Sequence, residues 1–133
     1  MTADCVAAAT CLLDSMMRGD VETALSTLHP ELVVHEPDSL WYPGDWHGPQ
    51  GFSDIIGLMT SKLDLEIKSY ETFDSPQATV MRAEVTFTSK ATGRSVDLSV
   101  VEVYKARDGR IIDMDIYYKD TAAVIALAEE SRS

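Results

Sequence analysis

The chain has 133 residues, of which 45% are hydrophobic and 25% charged, and its formal net charge is −11. This length and composition are typical of one globular domain, here residues 1–133, that buries a core without a disulfide or metal. The negative charge argues against binding to nucleic acid or anionic membranes, because both require a basic surface. No apolar run approaches the ~20 residues of a membrane span.

The two cysteines, Cys5 and Cys11, lie six residues apart on a predicted helix. That spacing places their Cα atoms ~9 Å apart, beyond the reach of a disulfide bond. The first residues also lack the basic start of a signal peptide. We therefore expect a cytoplasmic protein.

Helical periodicity dominates the first sixty residues. Residues 4–18 are predicted to form a helix that Gly19 ends. Asp20 can cap a second, shorter helix. Residues 32–36 then form a short strand, and Pro49 begins a third helix after a loop rich in aromatic residues.

The remainder of the chain alternates between apolar and polar residues with a period of two, which predicts four long strands. Short turns join them, and Asp120 can cap a short last helix. In the last strand the inward face is predicted to carry Ile112, Met114, Ile116 and Tyr118. Short turns between long strands favour an antiparallel meander. The order of elements predicts an α+β fold in which three helices pack on a curved sheet and leave a conical hollow.

The stretch of residues 33–48 carries the strongest functional signal. Its sixteen residues hold three acids, two of the three histidines and both tryptophans. Trp41, Tyr42 and Trp46 are expected either to cover a flat apolar ligand or to pack as a cluster against the helices. His47 points either into the same pocket or against Trp46.

Glu102 interrupts an otherwise apolar strand face that contains Val96, Leu98, Val100 and Tyr104. If this face is buried, desolvation raises the pKa of the Glu102 carboxyl, and the neutral acid can donate a hydrogen bond to a developing oxyanion. The alternative is that the opposite face is the inner one, so that Glu102 is a solvated strand residue.

Glu36 ends the first strand immediately before Pro37. A carboxylate at a rigid strand end is well placed as a general base, and the alternative is an ordinary acid at a sheet edge. The adjacent His35 points to the opposite face. The sequence has no spacing typical of zinc ligands and no dinucleotide or phosphate-binding motif, so we expect no metal and no cofactor.

The sequence resembles the NTF2-like superfamily, and within it the branch of SnoaL-like polyketide cyclases and ketosteroid isomerases. The order and spacing of four segments carry this resemblance, which covers essentially the whole chain. They are residues 18–21 (RGDV), 28–37 (LHPELVVHEP), 47–52 (HGPQGF) and 103–111 (VYKARDGRI). The resemblance implies a cone-shaped, cystatin-like barrel, usually a homodimer, with a deep apolar pocket for a small molecule.

The resemblance also implies roles for individual residues. Glu36 falls where the isomerases carry their general-base aspartate, which a proline also follows. Glu102 falls, allowing one gap in a turn, where they carry the protonated aspartate of the oxyanion hole. Their oxyanion tyrosine on the first helix corresponds to Leu12, so Tyr42 or Tyr104 would have to replace it.

We therefore predict a cofactor-independent acid–base enzyme of the cyclase, isomerase or dehydratase type. Its substrate would be a small, largely apolar carbonyl compound such as a polyketide or terpenoid intermediate. The alternative is a non-catalytic module that binds small molecules or dimerises. The candidate catalytic residues are Glu36, Glu102, Tyr42 and His47. The candidate substrate-binding residues are Met17, Trp41, Trp46, Val100, Tyr104, Met114, Ile116 and Tyr118.

Overall fold

The computed structural model describes residues 2–130, which form four helices and six strands. The helices are α1 (Thr2–Met17), α2 (Val21–Ser26), α3 (Gly48–Thr60) and α4 (Thr121–Glu129). The strands are β1 (Leu28–Glu36), β2 (Gly44–His47), β3 (Leu63–Asp74), β4 (Thr79–Ser89), β5 (Ser95–Arg107) and β6 (Arg110–Tyr118). The predicted α+β fold, with three N-terminal helices on a curved sheet and a short C-terminal helix, is confirmed.

The strands form one sheet in the order β2-β1-β6-β5-β4-β3. Neighbouring strands are antiparallel except β1 and β6, which pair in parallel. The first strand therefore lies in the middle of the sheet beside the last one, rather than at the edge of the meander. This pairing brings the end of β1 next to β6 and, through it, to β5.

The turn between α1 and α2 follows the sequence prediction. Gly19 has a φ of +74°, and its N–H donates to the Met16 carbonyl at 3.2 Å. The next N–H donates to the Ser15 carbonyl at 2.9 Å, which completes a Schellman motif. The carboxylates of Asp20 and Asp120 accept backbone N–H bonds at the starts of α2 and α4, at 3.1 and 3.0 Å. Both predicted caps are confirmed.

Two features of the sheet depart from simple alternation. Strand β2 was not predicted, because it is a four-residue edge strand with no apolar period. In β6, Lys105 pairs with Asp113 and Ala106 pairs with Ile111, which leaves Ile112 without a partner on β5. This bulge turns Ile111 into the core, where it is fully buried. The prediction that Ile112 shares the inward face is therefore wrong.

The core lies between the inner face of the sheet and the N-terminal helices. The inward residues of β4 alternate as predicted, and all of them are buried. They are Met81, Ala83, Val85 and Phe87. None of the helices between residues 2 and 130 is both long enough and apolar enough to cross a membrane.

Candidate functional site

A cavity of about 80 Å³ lies between α1, α3 and the inner face of the sheet. At about 30 Å³ for each water molecule, that volume corresponds to roughly two to three water molecules. Almost all of its walls are aliphatic or aromatic. The residues with polar side-chain groups in its lining are Glu36, Glu102, Tyr104 and Tyr118.

Glu36 enters the cavity at the end of β1, on the same face as the buried Leu32 and Val34. The residue is only 6% exposed, and its Oε1 has no hydrogen-bond partner among the described residues. Burial, and after it the nearby charge of Glu102, raises the pKa of Glu36 from its usual 4.5 to about 9. Glu36 is therefore a neutral carboxylic acid at pH 7.

Glu102 enters the same cavity from β5. The structure thus decides between the two faces of this strand, because Leu98, Val100 and Tyr104 point inward with Glu102. The Tyr104 hydroxyl donates a hydrogen bond of 2.6 Å to Oε1 of Glu102. Burial raises the pKa of Glu102 to about 7, and the Tyr104 hydrogen bond limits that rise. Glu102 consequently ionises at a lower pH than Glu36.

Two tyrosine hydroxyls lie at the edge of this pair. The hydroxyls of Tyr42 and Tyr118 are 2.8 Å apart, and either can be the donor. Burial raises the pKa of Tyr118 well above its usual value, and the charges of Glu36 and Glu102 raise it further. Tyr118 lines the same cavity as both carboxyl groups. When Tyr42 donates to Tyr118, the Tyr118 proton is free to donate into the cavity.

The structure brings six of the predicted site residues together in the cavity wall. They are Glu36, Glu102, Val100, Tyr104, Ile116 and Tyr118. Tyr42 is fully buried and does not line the cavity, but its hydroxyl is hydrogen-bonded to that of Tyr118, which does. Met114 is fully buried in the core and does not line the cavity.

Four other predicted residues do not reach the cavity. Met17 is 46% exposed, whereas its neighbour Met16 lines the cavity. Adjacent residues of a helix point roughly 100° apart, so both cannot face the cavity. Trp41 and Trp46 are half-buried, and their indole N–H groups donate to backbone carbonyls at 2.9 and 3.1 Å. His47 is exposed at the N-cap of α3. Of the two arrangements expected for Trp41 and Trp46, the structure shows packing against the core rather than a cover over the cavity.

A separate polar cluster lies on the outer face of the sheet. The two ring nitrogens of His35 lie 2.7 Å from a carboxylate oxygen of Asp45 and 3.0 Å from one of Asp113. Partial burial alone would lower the pKa of His35, but these two carboxylates outweigh it and raise the pKa. Within residues 2–130, no group of three or more His, Cys, Asp and Glu residues is arranged to hold a metal ion.

The family model of the SnoaL-like domain matches residues 10–114. The chain belongs to the SnoaL-like family. The sequence resemblance to this branch of the NTF2-like superfamily is therefore confirmed. No protein of curated function matches the sequence of this SnoaL-like domain.

Solved structures share the fold at low sequence identity. TerC, which was co-crystallised with polyporic acid, has a TM-score of 0.85 and 20% identity over 96% of this chain and 99% of its own. An NTF2-like protein from Burkholderia pseudomallei has a TM-score of 0.85 and 21% identity, over 96% and 98% of the two chains. A candidate polyketide cyclase from Xanthomonas campestris has a TM-score of 0.81 and 15% identity, also over 96% and 98%. At these identities the likeness extends to the fold alone.

Sequence analysis missed the contribution of α3 to the site of this SnoaL-like domain. Phe52, Ile55 and Met59 line the cavity, and their helical spacing was the signal that could have identified them. The Tyr42–Tyr118 hydrogen bond was also missed. It joins residues 76 positions apart, and no local pattern reveals such a contact.

Proposed function

We propose that this SnoaL-like protein is a cofactor-independent acid–base enzyme for a small, largely apolar carbonyl compound such as a polyketide or terpenoid intermediate. The observation that carries the proposal is the presence of two carboxyl groups with different proton affinities in one apolar cavity. Pairs of acids whose pKa values are pushed apart are typical of general acid–base sites. The co-crystallisation of TerC with polyporic acid supports a small-molecule ligand.

The hydrogen bonds favour an assignment of roles opposite to that implied by the resemblance. Tyr104 donates to Glu102 and so stabilises its ionised form. No described group donates to the buried Oε1 of Glu36, so an ionised Glu36 would leave one carboxylate oxygen buried without a hydrogen bond. When the two acids together hold one proton, that proton therefore stays on Glu36. Glu102 is the general base, and neutral Glu36 is the hydrogen-bond donor.

The chemistry follows from these roles. The Glu102 carboxylate accepts a proton from the carbon next to the carbonyl, and the C–H bonding electrons become the double bond of an enolate. The negative charge moves to the carbonyl oxygen, where Glu36 and Tyr118 donate hydrogen bonds. Return of the Glu102 proton to another carbon of a conjugated enolate gives isomerisation. Its transfer to the alkoxide formed by attack on a second carbonyl gives cyclisation, and its transfer to a departing β-hydroxyl gives dehydration with release of water.

Enolisation can be tested without knowledge of the natural substrate. We expect the protein to accelerate exchange of the α-protons of cyclohexanone and 2-tetralone in D₂O, followed by NMR. Glu102→Gln should lower the rate by about 10²–10⁴-fold, the usual contribution of a general base. Asp97→Asn is the matched control, because Asp97 is an exposed acid on the outer face of the same strand. Equal rates in all three proteins would contradict the proposal.

A non-catalytic binding module is the second candidate. It is favoured by Leu12, a buried aliphatic residue in the cavity wall where the isomerases are expected to carry a tyrosine. This candidate predicts that the ketones bind but that their α-protons do not exchange faster than in buffer. The same NMR experiment therefore distinguishes the two functions.

We also propose that the protein is a homodimer that pairs through the outer face of its sheet. This face carries two large apolar side chains that are more than half exposed, Phe73 at 53% and Tyr117 at 54%. Val80 pairs with Phe73 and Val103, and Val101 pairs with Tyr117, so the apolar residues are contiguous across four strands. Exposed apolar patches of this kind mark protein–protein contacts.

A cytoplasmic location and a single domain over residues 1–133 complete the proposal. Cys5 and Cys11 are both free thiols, which is the usual state in a reducing compartment.

A further inference from the structure

A second apolar hollow lies outside the cavity, in the angle between α1, α2 and α3. Its volume is about 210 Å³. We call it the α2 groove, and its apolar side chains are Met16, Val21, Ala24, Leu25, Phe52 and Ile56. At its end, the positive φ of Gly19 turns the chain sharply from α1 into α2.

The α2 groove and the cavity share a wall. Met16, Phe52 and Ile56 line both spaces, so their side chains form the partition between them. Phe52 is buried, whereas Met16 and Ile56 are only half-buried. Methionine is unbranched and has three rotatable side-chain bonds, so Met16 can move aside at low cost. The partition is therefore the point at which a ligand can pass from one space to the other.

The groove presents apolar surface to water on a strongly acidic protein. Val21 is 63% exposed, the largest exposure among the large hydrophobic residues described. The only charged side chain in its lining is that of Asp20, which already accepts the Thr23 N–H. Ser53 is the other polar residue of the lining, and the remaining side chains are apolar, so the groove suits a hydrocarbon chain better than a polar ligand.

The size of the cavity limits what it can hold by itself. Its 80 Å³ is smaller than the roughly 150 Å³ of an engineered cavity that binds benzene. Even a ligand with one six-membered ring must therefore extend beyond it. The α2 groove lies on the other side of the partition and has the same apolar character.

We propose that the α2 groove is a distal subsite that binds the hydrocarbon tail of the ligand whose carbonyl end lies at Glu36 and Glu102. The inference rests on the proposed function only in placing the polar end of the ligand. The ligand class is then an elongated molecule, with a carbonyl group at one end and an unbranched or lightly substituted apolar tail. The tail passes between Met16 and Ile56.

The test uses 4-alkylphenols from phenol to 4-hexylphenol, because a phenol is a stable enol and resembles the enolate. Affinities for the wild-type protein are measured by NMR titration. Each methylene group that leaves water for the groove should tighten binding by about three- to fourfold. The increase should begin once the chain is long enough to cross the partition.

Val21→Asp is the diagnostic variant, because Val21 lines the groove and does not line the cavity. An acidic residue is well tolerated in the first turn of a helix, so α2 should remain folded. Leu58→Asp is the matched control, since Leu58 is an exposed apolar residue that lines neither space. We expect the gain in affinity with chain length to disappear in Val21→Asp and to persist in Leu58→Asp. Nuclear Overhauser contacts should join the terminal methyl of 4-hexylphenol to Val21 and Leu25.

The possible outcomes separate the two proposals. An equal gain with chain length in all three proteins, with the terminal methyl contacting only cavity residues, would overturn the distal subsite and leave the proposed function intact. Failure of every alkylphenol to bind would overturn the subsite, whereas the proposed function is decided independently by the exchange of ketone α-protons.

Discussion

At the residue scale, the unpartnered carboxyl of Glu36 makes stability depend on pH. Folding raises its pKa from 4.5 to about 9. Between these values the folded protein holds a proton that the unfolded chain has released. The free energy of unfolding therefore falls with rising pH, by up to about 1.4 kcal/mol per pH unit from this group.

Glutamine cannot ionise, so Glu36→Gln should remove this dependence. We expect the free energies of unfolding of the variant and the wild-type protein to differ by a constant amount at pH 4 and below. The variant should then gain relative stability steadily as the pH rises from 5 to 9. Urea denaturation at intervals of one pH unit measures the difference. A difference that does not change with pH would mean that Glu36 is already ionised in the folded protein.

The hydrogen bond from Tyr104 makes a second prediction about proton affinity. Tyr104→Phe removes the donor that limits the pKa of Glu102, so this pKa should rise above about 7. Carbon-detected NMR of the side-chain carboxyl measures the change. Tyr117→Phe is the control, because the Tyr117 hydroxyl donates to Asp115 on the outer face at 2.7 Å. A Glu102 titration unchanged by Tyr104→Phe would remove the basis for calling Glu102 the base.

The sequence predicted some properties of these two acids and not others. The apolar alternation around Glu102 and the proline after Glu36 marked both acids as candidates, and each still had a structural alternative. The order in which they ionise was not predictable, because it depends on where the Tyr104 hydroxyl points. That direction is fixed by the packing of β5 against its neighbours, which the local sequence does not record.

At the scale of single elements, the aromatic loop adopts the second of its two expected arrangements and packs against the fold. Trp41 and Trp46 satisfy their indole N–H groups on nearby backbone, and β2 pairs with the end of β1. A Cβ atom at Gly51 would lie 3.1 Å from the backbone of Trp46, so glycine allows α3 to approach β2 closely. Composition alone does not distinguish such packing from a ligand lid.

The start of α3 gives a stability prediction with an internal control. Gly48 has a φ of +73°, and a Cβ there would lie 3.3 Å from the Pro30 carbonyl oxygen. Gly48→Ala should therefore destabilise the fold by about 1–2 kcal/mol. Gly57 lies in the same helix without a positive φ or a neighbour within 4 Å, so Gly57→Ala should stabilise by about 0.5–1 kcal/mol. Urea denaturation measures the free energy of unfolding of both variants. Equal changes in the two variants would contradict this account.

At the scale of the whole molecule, periodicity predicted the class of fold but not the arrangement of the sheet. The parallel pairing of β1 with β6 joins the first strand of the chain to the last one, as at Val34 and Met114. It is a tertiary contact with no local signature. The bulge at Ile112 likewise depends on the partner strand. This pairing places β1 one strand away from β5, so that Glu36 and Glu102 line one cavity. The site could therefore be proposed from sequence only with help from the family resemblance.

The proposed dimer makes a prediction that combines packing and charge. Val103 lies at the centre of the outer apolar patch, paired with Val80, so Val103→Glu should give a monomer. Ser95→Glu adds the same charge at the exposed far end of the same strand and should leave the dimer intact. Sedimentation velocity over a range of protein concentrations measures both.

Ionic strength tests the same interface in the unchanged protein. Each chain carries a formal charge of −11, so two chains repel each other at long range. The Debye length shrinks from ~30 Å at 0.01 M salt to ~10 Å at 0.1 M, and the repulsion is screened accordingly. Apolar contacts are not weakened by this screening, so the dimer dissociation constant should fall as salt is added. A dissociation constant that rises with salt would indicate an interface held by ion pairs, and would contradict pairing through the apolar outer face.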